Sequence, residues 1–591
     1  SASVFGRILD ADKGGSFTIA PDGLLESRRR YVGDTNVLET TIETGGGEIT
    51  VTDCMPVGPF DPERPTRVKT HHALLRKIEC TRGEVDVRVT IAPRFEYAAL
   101  VPRFRQTSKT TAEILGGADA LWITATRPIH EAPDRIRGTW LLKQGDSAWV
   151  QAEWSSSHTE RSAEVPGLVD LRLRLEETLG FWQEWIKGCR YDEEHADLVR
   201  RSALVLKALT YAPTGAIVAA PTTSLPEEIG GVRNWDYRYT WVRDCTLTLT
   251  SLSILGFRGE ADAFKLWIER TGAGRSDDLQ IMYSIEGHRL LPEIELEHLA
   301  GHRDSKPVRI GNGAFDQRQL DMYGQLLQAS YLYGRMGGTL TESNWKFLAG
   351  LADAACEAWR DPDQGIWEVR DEPRHFTHSK LYCWVALDRA VKVAKAMKLP
   401  GGVVRWAQER DAIHDYILKE CATDGWFSQA AGFDVADAST LLVPALGLVP
   451  ARHPLALKTI EILRQRLESD GMVHRYDADD GLEGGEGAFL LCSFWLLDAM
   501  AHAGQLDEAE KIFDKLVSLA NDVGLYAEEV DIASGEALGN FPQAFTHMAI
   551  VTSCMHLAAA RKGEIPRDDA YDFSEHALMR LLEKRGATPS P

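Results

Sequence analysis

Missing from this sequence is any uninterrupted apolar run long enough to span a bilayer. The longest runs are broken by Asp, Arg or Gln, and no basic-then-apolar leader opens the chain. No membrane anchor is expected. Basic charge is also scarce: 66 Lys and Arg stand against 87 Asp and Glu, a formal charge of −21, which argues against a surface built to hold DNA, RNA or anionic lipid. No GxxxxGK(S/T) or GxGxxG stretch precedes a helix in a β–α setting, and GxSxG with matched His and Asp is absent, so nucleotide-binding and serine-hydrolase readings fall away. The nine cysteines show no CxxC pairing, and several sit in apolar runs such as FLLCSFWLL, where Cys behaves as a small core residue. This reads as a reducing, cytoplasmic setting.

What is present is enough chain, at 591 residues, for two folding units of unequal size. From Arg28 to about Ser156, short alternating segments rich in β-branched residues (VLETTIET, EITVTD, VDVRVTIAP, SAWVQAEW) predict an antiparallel β-sandwich, given the bounds 1–165. Near Val169 the period turns helical. The stretch 166–195 is expected to be a linker helix and 196–591 an all-α domain, making the chain mainly α. Helices are predicted near Leu198–Tyr211, Thr240–Leu255, Glu260–Arg270, Leu320–Met336, Glu342–Arg360, Ser379–Met397, Val403–Cys421, Ser439–Leu448, Pro454–Leu467, Ala488–Ala503, Leu506–Ala520 and Ala544–Arg561. Odd members carry one apolar stripe, whereas even members such as AFLLCSFWLLDAMA are apolar nearly all round and must be enclosed. Outer helices alternating with inner ones describe an (α/α)6 barrel. Even-to-odd links are short and most odd-to-even links long, so the long ones should surround one mouth.

One of those links, RNWDYRYTWVRD, packs four aromatics, three arginines and two aspartates into twelve residues. Flat apolar rings beside fixed charges suit a sugar, whose C–H faces stack on Trp and Tyr while its hydroxyls need planar or charged partners. Trp235, Tyr237, Trp241, Arg243 and Asp244 are the candidates there; Arg243 with Asp244 reads equally as a salt bridge at a helix start. Glu368 in GIWEVR is a candidate acid, because Trp367 beside it would disfavour the ionised form. Glu528 or Glu529 in LYAEEVD would serve as the ionised partner that activates water. Taken singly, each carboxylate reads more readily as a loop residue or helix cap; their shared rim favours chemistry. Arg475 and Glu486 flank DADDGLEGG and are ligand candidates. Asp477, Asp479 and Asp480 lack the spacing of a twelve-residue calcium loop, His375 and His378 lack a third ligand, and no metal is assigned. Asn312 in PVRIGNGAF reads as a turn residue sooner than as part of a phosphate nest.

The stretches NWDYRYTWVRDC, RIGNGAFDQRQLDMYG, GIWEVR, HRYDADDGLEGGEGAFLLCSFWL and AEEVDIASGEALGNFPQAFTH together resemble glycoside hydrolase family 15, the group of glucoamylases, glucodextranases and bacterial trehalases. LETTIETGGGEITVTDCMP and LLRKIECTRGEVDVRVTIAPRFEY resemble the sandwich attached to its trehalase-like members, which usually carry about one more strand ahead of SASVF. The resemblance implies an inverting α-glucoside hydrolase acting at the non-reducing end. Glu368 would be the acid and Glu528 the base; Trp241, Arg243, Asp244 and Arg475 would fix the terminal glucose. Trehalose is the leading substrate. Maltose, isomaltose or longer α-glucans are the alternative, followed by a phosphorylase and a non-catalytic sugar-binding barrel. No cofactor is required, with phosphate or a divalent cation left open as an activator and homo-oligomerisation left open as well.

Overall fold

The computed structural model describes residues 2–61, 64–159, 165–272, 279–422, 424–478 and 480–584; Asp479 lies outside them. The chain forms two compact units, Ser1–Lys187 with Glu297–Asp304, and Gly188–Leu296 with Ser305–Pro591.

In the first unit one long strand, Ala73–Ala92, belongs to two antiparallel sheets. Its first half pairs with Gly47–Cys54 and Ser147–Ser156, and its second half with Ser16–Pro21 and Arg135–Lys143. Alternation decides the inward face: along Arg135–Lys143, Ile136, Trp140 and Leu142 are buried in the same core as Val85, Val87, Val89 and Ile91. The strands begin at Ser16, ahead of the expected Arg28, and Phe17 and Ile19 pack against that core. The helix Leu168–Ile186 falls in this unit instead of standing as a separate linker. The physical reason is its attachment: the Val57 amide donates to Thr178 Oγ1 at 3.1 Å, and Arg174 pairs with Glu153 at 3.0 Å.

The second unit is a closed double ring. The inner elements are Val242–Leu255, Asp321–Arg335, Thr377–Met397, Ala438–Ala445, Leu490–Ala503 and Ala544–Arg561. Each packs on the next, and the last packs on the first. The outer helices Ala196–Ala208, Gly259–Thr271, Glu342–Ala358, Val403–Glu420, Pro454–Arg466 and Leu506–Val517 lie against them. This is an (α/α)6 barrel. Leu506–Val517 shows the outer pattern, with Ala509, Ile512, Phe513 and Leu516 buried at helical spacing; Leu490–Ala503 is buried almost all round.

The fourth inner element departs from expectation. In place of a helix over Ser439–Leu448 there is a 3₁₀ turn, Ala438–Leu441, and one α turn, Leu442–Ala445. Pro444 supplies no amide to continue the ladder, and Gly447 turns away at φ +82°. A further helix, Phe573–Glu583, follows the barrel and packs on its first and last inner helices. Its cap residue Asp572 accepts from Arg389 (2.7 Å) and Gln328 (2.7 Å) and bridges to Leu446 at the far end of the fourth inner element.

Candidate active site

The long links before the inner helices enclose a cavity of about 750 Å³, counting the solvent at its mouth. Trp235, Tyr237, Trp241, Arg243, Asp244, Trp367, Glu368, Arg475 and Glu528 all line it.

The link before the first inner helix divides its side chains between wall and scaffold. Arg233 holds Asp480 with two bonds (2.8 and 3.0 Å), and Asp236 binds Arg238 (2.8 and 2.7 Å) and the Gly311 amide (3.2 Å). The aromatics between them are thereby aimed inward. The guanidiniums of Arg309 (4.7 Å) and Arg370 (5.7 Å) both lie over the Trp235 ring, and Tyr237 meets Trp241 edge-on at 5.6 Å. The density of charges noticed in the sequence is thus half framework and half wall.

Glu368 belongs to the link before the third inner helix. Its Oε1 accepts from Trp241 Nε1 at 2.7 Å and from Arg243 Nη2 at 3.5 Å. Its neighbour Trp367 is turned to a different partner. The Trp367 indole donates to Asp437 (3.0 Å), while its ring packs on Phe489 and Trp495. The near surroundings of the Glu368 carboxylate are therefore two N–H donors, and Trp367, expected to disfavour its ionised form, is turned to Asp437.

Glu528 belongs to the link before the sixth inner helix, so in a ring of six it emerges diametrically opposite Glu368. It is buried, Gln543 Nε2 donates to its Oε1 at 3.3 Å, and its Oε2 has no protein partner. Burial raises its pKa well above the ordinary range and the charge of Glu227 raises it further, while Tyr237, Arg475 and Gln543 pull it down. Gly539, at φ +73°, leaves room for it, since a Cβ there would stand 2.8 Å from Glu528 Oε2.

Glu529 and Glu486 do not line the cavity, which corrects their expected role as sugar ligands. Glu529 starts the short strand Glu529–Val530, and consecutive side chains of an extended chain face opposite ways. Its Oε2 accepts the Gly487 amide at 2.7 Å behind the wall. Glu486 holds Arg475 through Nε (3.1 Å) and Nη2, and also receives Arg233 at 3.0 Å. Its function is to hold Arg475 over Trp367 and Phe489, 5.6 and 5.5 Å from their ring centres.

Arg243 and Asp244 form a buried, loose pair at 3.7 Å in the first turn of the first inner helix. Burial raises the Asp244 carboxyl to about 7 against the opposing pull of Arg243. The two atoms of that pair, Asp244 Oδ2 and Arg243 Nε, stand beyond hydrogen-bond distance of each other and have no hydrogen-bond partner in the protein. Sequence reasoning missed Glu227, Arg370, Gln543 and Phe545, and weighed Asp480 only as a calcium candidate; all five line the cavity. Glu227, in SLPEEIGG, carried no aromatic or motif signal. Asn312 lines the wall too, its Oδ1 accepting the Ala314 amide at 2.9 Å in a turn. Asp477 holds the Ala436 amide and Arg466, while His375 and His378 pack against Tyr416 and Tyr382.

An (α/α)6 barrel whose one rim carries facing carboxylates, paired arginine and aspartate, and an aromatic wall defines a glycoside hydrolase. The chain belongs to glycosyl hydrolases family 15: that family's model matches residues 193–555, and a trehalase-like N-terminal model matches residues 1–127. It is 38% identical to a trehalase of Mycobacterium tuberculosis, over 95% of this chain and 85% of that one. It is 35% identical to a trehalase of Thermoplasma volcanium, over 93% and 87%. Among solved structures, a bacterial glucoamylase complexed with acarbose shares the fold at TM-score 0.71 and 13% identity, covering 95% of this chain and 88% of that chain.

Proposed function

We propose that the cavity cleaves trehalose with inversion at one anomeric carbon. The observation that carries this reading is the placement of Glu368 and Glu528 on opposite links of the ring, facing one cavity with Arg243, Asp244 and Arg475 between. An inverting enzyme needs one carboxyl to protonate the glycosidic oxygen and a second to take a proton from water on the other face of the sugar. Glu368, open to the cavity and steadied by Trp241, is the acid. Glu528 is the base: it must be ionised to act; burial and the charge of Glu227 oppose that form, and Tyr237, Arg475 and Gln543 favour it. Trp241, Arg243, Asp244 and Arg475 fix the glucose at the cavity's inner end, and Trp235, Tyr237 and Trp367 supply its apolar walls.

The choice of trehalose rests on relatives named trehalase that align over nearly the whole chain. No step calls on a cofactor, and phosphate or a divalent cation would act only as an activator. Nine free cysteines, eight of them buried, support a reducing cytoplasmic setting, and the acidic balance speaks against nucleic acid as a partner. No helix among the described residues is long and apolar enough to cross a membrane.

Glu368→Gln and Glu528→Gln test the roles. Each should lower trehalose turnover by about a thousandfold or more with substrate binding largely kept. Near-normal turnover in either variant contradicts its assignment. Maltose and isomaltose serve as comparison substrates.

A further inference from the structure

Glu368 has a backbone φ of +58°, in the left-handed region that a residue bearing a side chain enters only against a steric penalty. Something must hold it there. Its own turn contributes one weak bond, from the Glu368 amide to the Gly365 carbonyl at 3.4 Å. The rest comes from the preceding link of the ring. Gln317 Nε2 donates to the Glu368 carbonyl at 3.2 Å and to the Val369 carbonyl at 3.3 Å. Gln319 Nε2 in turn donates to Gln317 Oε1 at 3.3 Å, and Arg243 Nη1 donates to Gln319 Oε1 at 3.1 Å. Arg243 Nη2 closes the circuit on the Glu368 carboxylate at 3.5 Å.

The direction of this chain is fixed by its ends. A guanidinium can only donate and a backbone carbonyl can only accept, so each glutamine must present its oxygen toward Arg243 and its amide N–H toward Glu368. Both amide orientations follow without a free choice. Gln319 is buried, and both glutamines line a separate open pocket beside Phe315 and Met322 instead of the cavity that holds Glu368.

We propose that Gln317, backed by Gln319, is a positioning residue for the general acid: it ties the peptide of Glu368 to Arg243 and so sets where the acid's proton stands relative to the leaving oxygen. The proposal rests on the reading of Glu368 as the acid. It makes a prediction that a merely structural glutamine would not. Loss of the tie should harm only reactions whose leaving group needs protonation. Trehalose leaves as a glucose alkoxide unless protonated, whereas α-glucosyl fluoride releases fluoride, a far weaker base, with little help.

The test compares Gln317→Glu and Gln319→Glu with the unaltered enzyme on both substrates. Glutamate keeps the shape, but when ionised it cannot donate to a carbonyl. Turnover of trehalose should fall about 10- to 100-fold with KM within about twofold, while turnover of α-glucosyl fluoride stays within about threefold. Fluoride turnover also reports that the variant has folded; if one variant does not fold, the other is read in the same way. Equal losses on both substrates, or no loss on trehalose, overturn the proposal. Glu368→Gln is run alongside and should lose trehalose turnover far more than fluoride turnover. If it loses both alike, the acid assignment itself fails, and that outcome is distinct from a failure at Gln317.

Discussion

The indole N–H of Trp241 donates to the carboxylate of Glu368 across 2.7 Å, joining the first and third links of the ring. Trp241 thus serves as a donor to Glu368, the proposed acid, as well as a wall. Trp241→Phe keeps the ring and removes the donor. A hydrogen bond to a charged group contributes about 1.5–3 kcal/mol, so trehalose turnover should fall about 10- to 100-fold. Steady-state kinetics check this; an unchanged kcat would show the bond to be incidental.

Glu227 acts through its charge on Glu528, the proposed base. It is buried, lies 3.8 Å from Arg475, and its carboxyl is raised to about 7 by burial, with Arg475 opposing and Glu486 adding to the rise. Its ionised form in turn raises the Glu528 carboxyl. The groups facing it are Arg475, Glu486, Arg233, Asp480 and the Glu528–Glu529 pair. The base works only when ionised, so activity should appear as pH rises through its pKa. Removing the neighbouring negative charge in Glu227→Gln should lower that pKa and move the acidic limb of kcat/KM to lower pH. A limb that moves to higher pH would contradict the sign.

Gly539 gives Glu528 its space. In Gly539→Ala the new methyl would meet Glu528 Oε2 at 2.8 Å from a backbone at φ +73°. Stability should fall by about 1–2 kcal/mol, and kcat by more than tenfold because the base is displaced. Denaturant melts and kinetics on the same preparation separate the two effects. Unaltered kcat would show that Glu528 tolerates displacement.

At the other end of the barrel, Asp572 and Arg389 are both almost wholly buried and paired at 2.7 Å. Asp572→Ala would leave a buried guanidinium short of a partner and remove the cap of the last helix, whose Glu575 amide bonds Asp572 at 2.7 Å. The expected loss is about 3–5 kcal/mol of stability with kcat little changed at low temperature, read by chemical denaturation and assay. A small loss would mean that Asp388, which also pairs with Arg389, carries the load.

Much of this was legible in the sequence because it is written in periodicity. The contrast between LDEAEKIFDKLV and LLCSFWLLDAMA separates outer from inner helices without any structure, and the long links follow from the spacing. Side-chain direction within a link was not legible. Glu528 and Glu529 are chemically identical neighbours, and only the strand pairing of Glu529 shows which one faces the cavity. Glu486 looked like a ligand because charge marks a site, yet two arginines claim it. Glu227 and Gln317 meet partners distant in sequence, and the eight residues Glu297–Asp304 join the first unit through contacts such as His298 with the Tyr97 carbonyl. Local pattern holds no record of such meetings.

The most direct test of the central claim is proton NMR of the purified protein with trehalose, recorded before mutarotation mixes the anomers. Hydrolysis with inversion, by an acid at Glu368 and a water-activating base at Glu528, yields equal early amounts of α- and β-glucose. Early release of α-glucose alone would mean retention and contradict the assigned roles; no release would contradict trehalose as the substrate.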